Sequence, residues 1–347
     1  MVLKSLIKKN CLLLKKSFRL SLLNKCRLSL ILNMSVDPNL SRQFLHACQT
    51  GNLPRVETIV SKYAIQDWTV FQHFTSGDTA LHVSVREGHL NIVRYLCEAF
   101  VKPDFKVDVA NKDMKRPLHE AAQFARSNVV KYLIAKGAAV NALKRADWTP
   151  LMLACVRTGS EARECIAALL EAEADVFLRN KDGWTSLHIV CRSGDRSALN
   201  LLLKSSNESI SRIGDRSNNG RSVMHIAAFH GHEGIIEELA TIDPNLANAR
   251  DSSGHTPLHE AIKGGHLAVA ERIIELRADV RATDNVGQTI LHVAALTGNT
   301  DAVRYILKNN LIDIHTEALF NVTPLVAARR SNHTDTIDCL TEFGAIK

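Results

Sequence analysis

The segment that decides the fold is TPLHEAIKGGHLAVAERII, residues 256–274. Pro257 follows a threonine that can cap a helix, and it stands where the first helical turn tolerates proline. Gly265 is of the type that ends a helix in the left-handed conformation. After it, apolar residues such as Val269 and Ile273 recur four apart, which is typical of one buried helical stripe. The segment therefore predicts two short helices joined by a tight turn.

The same pattern recurs along the chain. Copies with a histidine in the fourth position occupy residues 79–96, 116–133, 185–203, 222–239 and 289–307. Copies with another residue there occupy residues 44–60, 149–170 and 323–340. Equivalent positions are spaced 33 to 37 residues apart. A fixed period of this length is the mark of a repeat protein.

By this pattern the chain resembles the ankyrin-repeat family over about residues 38 to 347. The resemblance implies an all-α solenoid of about nine helix-turn-helix repeats with short β-hairpin-like loops. The repeat array is assigned to residues 37–347, with repeats at about 38–74, 75–110, 111–143, 144–179, 180–216, 217–250, 251–283, 284–317 and 318–347. Such short helices are unstable alone in water, so stacking on neighbouring repeats must stabilise them.

The first 33 residues differ from the rest in composition. They hold eight Lys and Arg and no acid, which leaves 35 basic and 36 acidic residues for the remainder of a chain whose total charge is +7. This basic leader, assigned to residues 1–36, has the composition of a mitochondrial transit peptide. A start of translation at Met34, or a disordered tail, stays open as the alternative. Cations interrupt its apolar runs, so no membrane span is predicted.

Eight cysteines are scattered without a C-x-x-C pair. Neither a disulfide framework nor a zinc site is expected from such spacing. A reducing compartment is therefore expected: the cytoplasm and nucleus, or the mitochondrion if the leader is a transit peptide.

The chain has fifteen histidines, which raises the question of a metal or catalytic site. Six of them share one repeat position: His82, His119, His188, His225, His259 and His292. One ligand per repeat, roughly 10 Å from the next, cannot share a zinc ion, so a hydrogen bond that fixes the turn is predicted instead. Sequence motifs of hydrolases, P-loop proteins, zinc peptidases and kinases are absent. We expect no catalytic residue, no cofactor and no bound metal.

The loops before the first helices are the predicted binding surface. In two successive repeats the residue before the capping threonine is a tryptophan, Trp148 and Trp184. Lys115 and Arg116 continue the row in the preceding repeat, and Arg145 lies beside Trp148. Aromatic rings flanked by cations are typical of interface anchors. Partner binding at these five residues is favoured, and packing of each tryptophan only on its own repeats is the alternative.

Residues 111–122, 137–155 and 180–195 resemble more than a generic ankyrin repeat. They are similar to the family of ankyrin repeat domain-containing protein sixteen, over about residues 111 to 195. That resemblance implies binding to the catalytic domain of alanyl-tRNA synthetase. It also implies that lysine side chains accept wrongly activated serine, which limits serine misincorporation in translation.

The same resemblance identifies candidate acceptor lysines. Lys181, in NKDGW, matches one acceptor of the family. Arg145 stands at a second acceptor position, but a guanidinium stays charged in proteins and cannot take an acyl group. Lys144 beside it is the substitute, and Lys204 is the third candidate.

The function expected from the sequence is therefore that of a non-enzymatic, monomeric protein-binding chain, a cofactor of alanyl-tRNA synthetase. The alternative is a general scaffold or adaptor for a different protein. Direct binding of nucleic acid is not expected, because the repeat array is close to neutral.

Overall fold

A computed structural model describes residues 37–100, 107–205 and 207–346. In these ranges, pairs of α-helices follow one another and the only β-structure consists of isolated bridges. The predicted all-α repeat fold is confirmed for this part of the chain. The basic leader, residues 1–36, lies outside the described residues.

Each predicted repeat contains a first and a second helix. The first helices are Pro38–Gln49, Ala80–Glu87, Pro117–Gln123, Pro150–Cys155, Ser186–Ser193, Val223–Phe229, Pro257–Lys263, Ile290–Thr297 and Pro324–Arg330. The second helices are Leu53–Lys62, Leu90–Glu98, Ser127–Ala135, Ser160–Glu171, Arg196–Lys204, Glu233–Ile242, Leu267–Glu275, Thr300–Lys308 and Thr334–Glu342. Shorter helical segments lie at Trp68–Val70, Arg145–Asp147, Asn207–Ser211, Pro244–Asn248 and Leu319–Asn321.

Local sequence explains where the helices begin and end. Five first helices begin at a proline, and the hydroxyl of Thr149 accepts the N–H of Met152 at 3.1 Å as a helix cap. Gly88 ends its helix with φ of 85°. In the third repeat Ala125 takes the equivalent place with φ of 53°. The left-handed conformation is therefore required by the turn, not by the residue type.

The six repeated histidines link each first helix to the next loop. In the second repeat, His82 Nδ1 lies 3.2 Å from the N–H of Thr79 and 2.9 Å from its hydroxyl. Nδ1 is thus an acceptor, so Nε2 carries the proton and donates to the carbonyl of Lys115 at 2.9 Å. Burial lowers the pKa of all six, to about 4 for His119, His188 and His259. The predicted turn-fixing role is confirmed.

The core runs through the whole array as one cluster of buried apolar side chains. Its members include Leu133 and Leu169, both fully buried. Burying such a side chain stabilises the fold by about 1.5–3 kcal/mol relative to exposure. The main helix contacts join only neighbouring repeats, which is the packing of a solenoid. No described helix is both long and apolar enough to cross a membrane.

Candidate partner-binding surface

The candidate surface is built on three loops: loop 3 (residues 111–116), loop 4 (residues 144–149) and loop 5 (residues 180–185). Backbone hydrogen bonds join each loop to the next. The carbonyl of Asp113 accepts the N–H of Arg145 at 2.8 Å, and the carbonyl of Ala146 accepts the N–H of Lys181 at 3.1 Å. The same bond recurs between neighbouring loops from the second repeat to the ninth. The loops are therefore held at fixed spacing, on which side chains can be placed reproducibly.

Loop 4 closes through its backbone alone. The N–H of Lys144 donates to the carbonyl of Trp148 at 3.0 Å. Between them Ala146 and Asp147 both adopt left-handed backbone angles, with φ of 64° and 61°. This conformation costs an L-residue about 1–2 kcal/mol, so neighbouring contacts must hold it in place.

Loop 5 makes the same backbone bond, from the N–H of Asn180 to the carbonyl of Trp184 at 2.9 Å, and adds a side-chain acceptor. Oδ1 of Asn180 accepts the N–H groups of Asp182 and Trp184, each at 2.9 Å. Gly183 supplies the positive φ, 77°, that the turn requires. In this loop the first position is occupied by the turn-forming asparagine, whereas in loop 4 the same position is free to carry Lys144.

Trp148 is half-buried and packs against the core on one side. Lys144 Nζ lies 5.8 Å from the centroid of its ring. Both side chains line a pocket of about 210 Å³. The other lining residues are Gln123, Leu153, Val156 and Arg157. The pocket thus has apolar walls and two cations on its lining.

Trp184 has an equivalent setting one repeat further on. Its ring is half-buried, with the guanidinium carbon of Arg192 5.9 Å from the centroid. The ring of His188 lies 6.2 Å away, centroid to centroid. Both tryptophans therefore pack on their own repeats with one part of the ring and are open to solvent with the other. Partner binding and packing within the repeats, the two interpretations of these residues, do not exclude each other.

The cations of the predicted row differ in accessibility. Lys115 Nζ lies 2.9 Å from Oε1 of the fully buried Glu120, and the lysine side chain is only 15% exposed. Arg116 lies 3.6 Å from Asp108. Arg145 lies 2.9 Å from Asp113, and its side chain is 71% exposed. Lys115 is thus committed to an interior ion pair, whereas Arg145 remains within reach of a partner.

The three candidate acceptor lysines also differ. Lys181 is exposed in loop 5, and Lys204 is exposed at the end of the second helix of its repeat. Lys144 is half-buried, and its pKa is lowered by burial and then by the positive charge of Lys115. A lowered pKa raises the fraction of neutral amine, which is the nucleophilic form.

A carboxylate and histidine cluster lies elsewhere, in the seventh repeat. Ligand-type atoms of Asp251, His255 and Glu260 lie within 4.8 Å of one another. However, Nη2 of Arg221 lies 2.8 Å from Oε2 of the buried Glu260. The hydrogen bond to Glu260 raises the pKa of His255. The guanidinium already supplies the positive charge that a metal would bring, so the cluster is an ion-pair network.

Sequence reasoning missed two parts of the surface. The first is the set of Val156, Arg157 and Arg192, which end or follow first helices and face the tryptophans. Each of them lies four or five residues after the repeated histidine position, and this spacing could have identified them in the sequence. The second, which lies outside loops 3 to 5, is a pair of loop-tip aromatics, Phe74 and Phe320, which are 92% and 91% exposed.

Stacked helix pairs with side chains presented on a rigid row of loops define a helical-repeat protein of the macromolecule-binding class. A family model described as "Ankyrin repeats (3 copies)" matches in eight overlapping windows: residues 23–108, 44–144, 99–180, 118–213, 151–248, 187–284, 243–318 and 276–347. The chain belongs to the ankyrin-repeat family.

Several curated relatives share the repeats. The B-cell lymphoma 3 protein of Homo sapiens is 30% identical over 232 residues, 66% of this chain and 50% of the relative. Its Mus musculus homolog is 29% identical over the same shares. The transient receptor potential cation channel subfamily A member 1 of Homo sapiens is 29% identical over 56% of this chain and 20% of the relative. The chain spans about half the length of the first two relatives.

Proposed function

We propose that this ankyrin-repeat protein is a non-enzymatic cofactor that binds the catalytic domain of alanyl-tRNA synthetase through loops 3 to 5. It accepts wrongly activated serine on lysine side chains and so limits serine misincorporation. The observation that carries the proposal is the half-buried Lys144, with its lowered pKa, beside Trp148 in an open pocket. The family resemblance of residues 111–195 names the partner.

The acceptor chemistry needs only a neutral amine and a reactive mixed anhydride. Lys144 Nζ, after losing a proton to water, attacks the carbonyl carbon of seryl-adenylate. An amide bond forms between serine and lysine, the bond between the carbonyl carbon and the phosphate oxygen breaks, AMP leaves, and the nitrogen loses a second proton to water. Binding at the synthetase raises the effective concentration of adenylate near the amine. Lys144 is therefore the preferred acceptor, and the exposed Lys181 is the second.

Partner binding is tested by recovery of the synthetase with a tagged chain from cells. Exchanging Trp148 and Trp184 together for alanine removes both rings and is expected to abolish recovery. Helical circular dichroism serves as the control for folding. Recovery that persists in a folded double variant would contradict a role for these rings, and a melted double variant would place them in the core.

Serine capture is tested separately, by peptide mass spectrometry after incubation with alanyl-tRNA synthetase, serine and ATP. Seryl adducts are expected on Lys144 and Lys181. Lys308, exposed on the second helix of the eighth repeat, is the control and should remain unmodified. Modification of Lys308 to the same extent would indicate unspecific acylation and reject capture at loops 4 and 5.

A second candidate is a scaffold for another protein, favoured by the exposed Phe74 and Phe320 at loop tips, the first just before the second repeat and the other in the ninth. Exposed large apolar side chains are typical of interaction surfaces. This candidate predicts that the exchange of Phe74 and Phe320 for serine removes recovered proteins while exchange of the two tryptophans does not.

A further inference from the structure

Three cations on the fourth and fifth repeats combine a contact with an aromatic ring and the lack of an acidic partner among the described residues. Lys144, Arg157 and Arg192 each lie within 5.8 to 5.9 Å of an aromatic ring centroid. Among the described residues, none of the three has a carboxylate oxygen within 4.0 Å. Nearby surface arginines are paired, as Arg145 is with Asp113. The three residues, named the cationic strip, therefore carry positive charge that the fold leaves unneutralised.

Stacking places the members of the cationic strip on two neighbouring repeats. Lys144 and Arg157 line the same pocket, beside Trp148. Arg192 lies over Trp184 in the next repeat. The first helices of these two repeats pack on each other, and their loops are joined by the bond between Lys181 and Ala146. The strip thus crosses one repeat boundary on the side where the loops meet the first helices.

The aromatic rings prepare the cations for binding. A cation over a ring is held in place and partly desolvated, yet the N–H edge of a guanidinium stays available. Arg157 Nε donates to the carbonyl of Gln123 at 3.0 Å, and its guanidinium lies over Phe124. Within the part of the chain that the structure describes, its terminal nitrogens have no acceptor and remain for an external one. Arginines fixed in this way match carboxylates well, because little side-chain freedom is lost on binding.

The pocket also favours a partner that presents an apolar side chain. Leu153, Val156 and Trp148 supply most of its walls, and Val156 is 48% exposed. A pocket of about 210 Å³ suits one side chain and not a small-molecule cofactor, since cofactor and drug sites are typically about 300 Å³ or larger. A partner that fits must therefore present an apolar side chain next to negative charge.

We infer that the cationic strip binds an acidic segment of a partner protein, with carboxylates on Arg157 and Arg192 and an apolar side chain in the pocket that Lys144 lines. The inference rests on the proposed function and deepens it by stating the chemistry of the bound segment. Single-stranded nucleic acid is disfavoured, because it needs open ring faces for base stacking, and in the strip a cation lies over each ring.

The experiment uses the full chain and two fluorescein-labelled synthetic peptides. In one peptide glutamate alternates with leucine; in the other glutamine replaces glutamate. The glutamate peptide is expected to bind about tenfold more tightly, with an affinity that falls as salt is raised. The double variant Arg157→Glu, Arg192→Glu is expected to bind it at least about tenfold more weakly. The control variant Lys62→Glu, Lys308→Glu, on second helices, should bind as the unmodified chain does.

Three outcomes would overturn the inference: equal affinity for both peptides, equal loss in the control variant, or tighter binding of oligothymidylate than of the glutamate peptide. If charge reversal melts the array by circular dichroism, Arg157→Gln with Arg192→Gln removes the charges without adding new ones, and the same loss is expected. Synthetase recovery that survives in the double variant keeps the proposed function and rejects this inference. Peptide binding without synthetase recovery keeps the inference and rejects the named partner.

Discussion

Loop 4 closes on two left-handed residues, Ala146 and Asp147, whereas loop 5 closes on the side chain of Asn180 and on Gly183. Both present a tryptophan at the same position. Their anchoring to the preceding repeat also differs. Nε2 of His119 lies 3.2 Å from the carbonyl of Trp148 in loop 4. The matching position before loop 5 is Met152, whose side chain has no N–H to donate.

The comparison shows that one surface geometry can be produced by two sets of local interactions. Loop 5 is self-sufficient, because its asparagine and glycine supply the turn. Loop 4 depends on its neighbours, since it contains left-handed non-glycine residues and a histidine contact from the repeat before. That dependence frees its first position for Lys144 instead of a turn-forming side chain. The less regular loop is therefore the one that carries the lysine with the lowered pKa.

The largest effect is expected from breaking loop 5 with Gly183→Ala. The added Cβ would lie 2.4 Å from Oδ1 of Asn218 and 2.7 Å from its backbone nitrogen, at φ of 77°. Strain and clash together are expected to lower the free energy of unfolding by about 3 kcal/mol, measured by urea denaturation. Gly137→Ala is the control, because its φ is 83° but no atom lies within 4 Å of the added Cβ. Equal losses in both variants would mean that the contact with Asn218 is unimportant.

Acid is expected to destabilise the fold, because it protonates the histidine that anchors loop 4. Burial lowers the pKa of His119 to about 4, against about 6.5 in an unfolded chain. Between these values the unfolded state binds more protons, so stability falls as the pH falls. A drop from pH 7 to pH 5 is expected to cost about 2 kcal/mol at this residue.

The measurement is urea denaturation at both pH values for the unmodified chain and for His119→Asn. The variant should lose about 2 kcal/mol less on acidification, since the other buried histidines still titrate. An identical pH dependence in the two proteins would show that His119 is not the proton-sensitive contact.

Removal of the turn-forming side chain in loop 5 is expected to have a smaller effect. Asn180→Ala leaves the N–H groups of Asp182 and Trp184 without their acceptor. The expected loss is about 1–2 kcal/mol by urea denaturation. Asn180→Asp retains the acceptor oxygen and serves as the control. If both variants lose the same amount, the turn does not depend on that oxygen.

The smallest effect, a stabilisation, is expected from relieving the backbone strain in loop 4. Ala146→Gly removes the Cβ from a residue with φ of 64°. The strain that is relieved exceeds the entropic cost of ordering a glycine, so the free energy of unfolding is expected to rise by about 0.5–1 kcal/mol. Ala167→Gly, inside the helix Ser160–Glu171, is the control and should destabilise by about 1 kcal/mol. Destabilisation by both would mean that the left-handed conformation is not strained.

Sequence reasoning reached the fold because its evidence is local. Pro257 begins a helix, Gly265 ends one, and the repeated histidine fixes a turn. It also located loops 4 and 5 from their tryptophans. It did not find the pocket between Trp148 and Arg157, because the two come from different parts of a repeat and meet only when the loop folds over the first helix.

The sequence by itself determined the number of repeats, the positions of their helices and the exclusion of the familiar catalytic motifs, since caps, turns and apolar periodicity depend on residues a few positions apart. Only the tertiary structure decided which cations have an acidic partner. Lys115 is neutralised by Glu120 and Arg145 by Asp113 of the preceding loop, whereas Arg157 and Arg192 lie over rings with no carboxylate beside them among the described residues. Electrostatic interaction and burial depend on distances across stacked repeats, which separate residues by more than thirty positions in the chain.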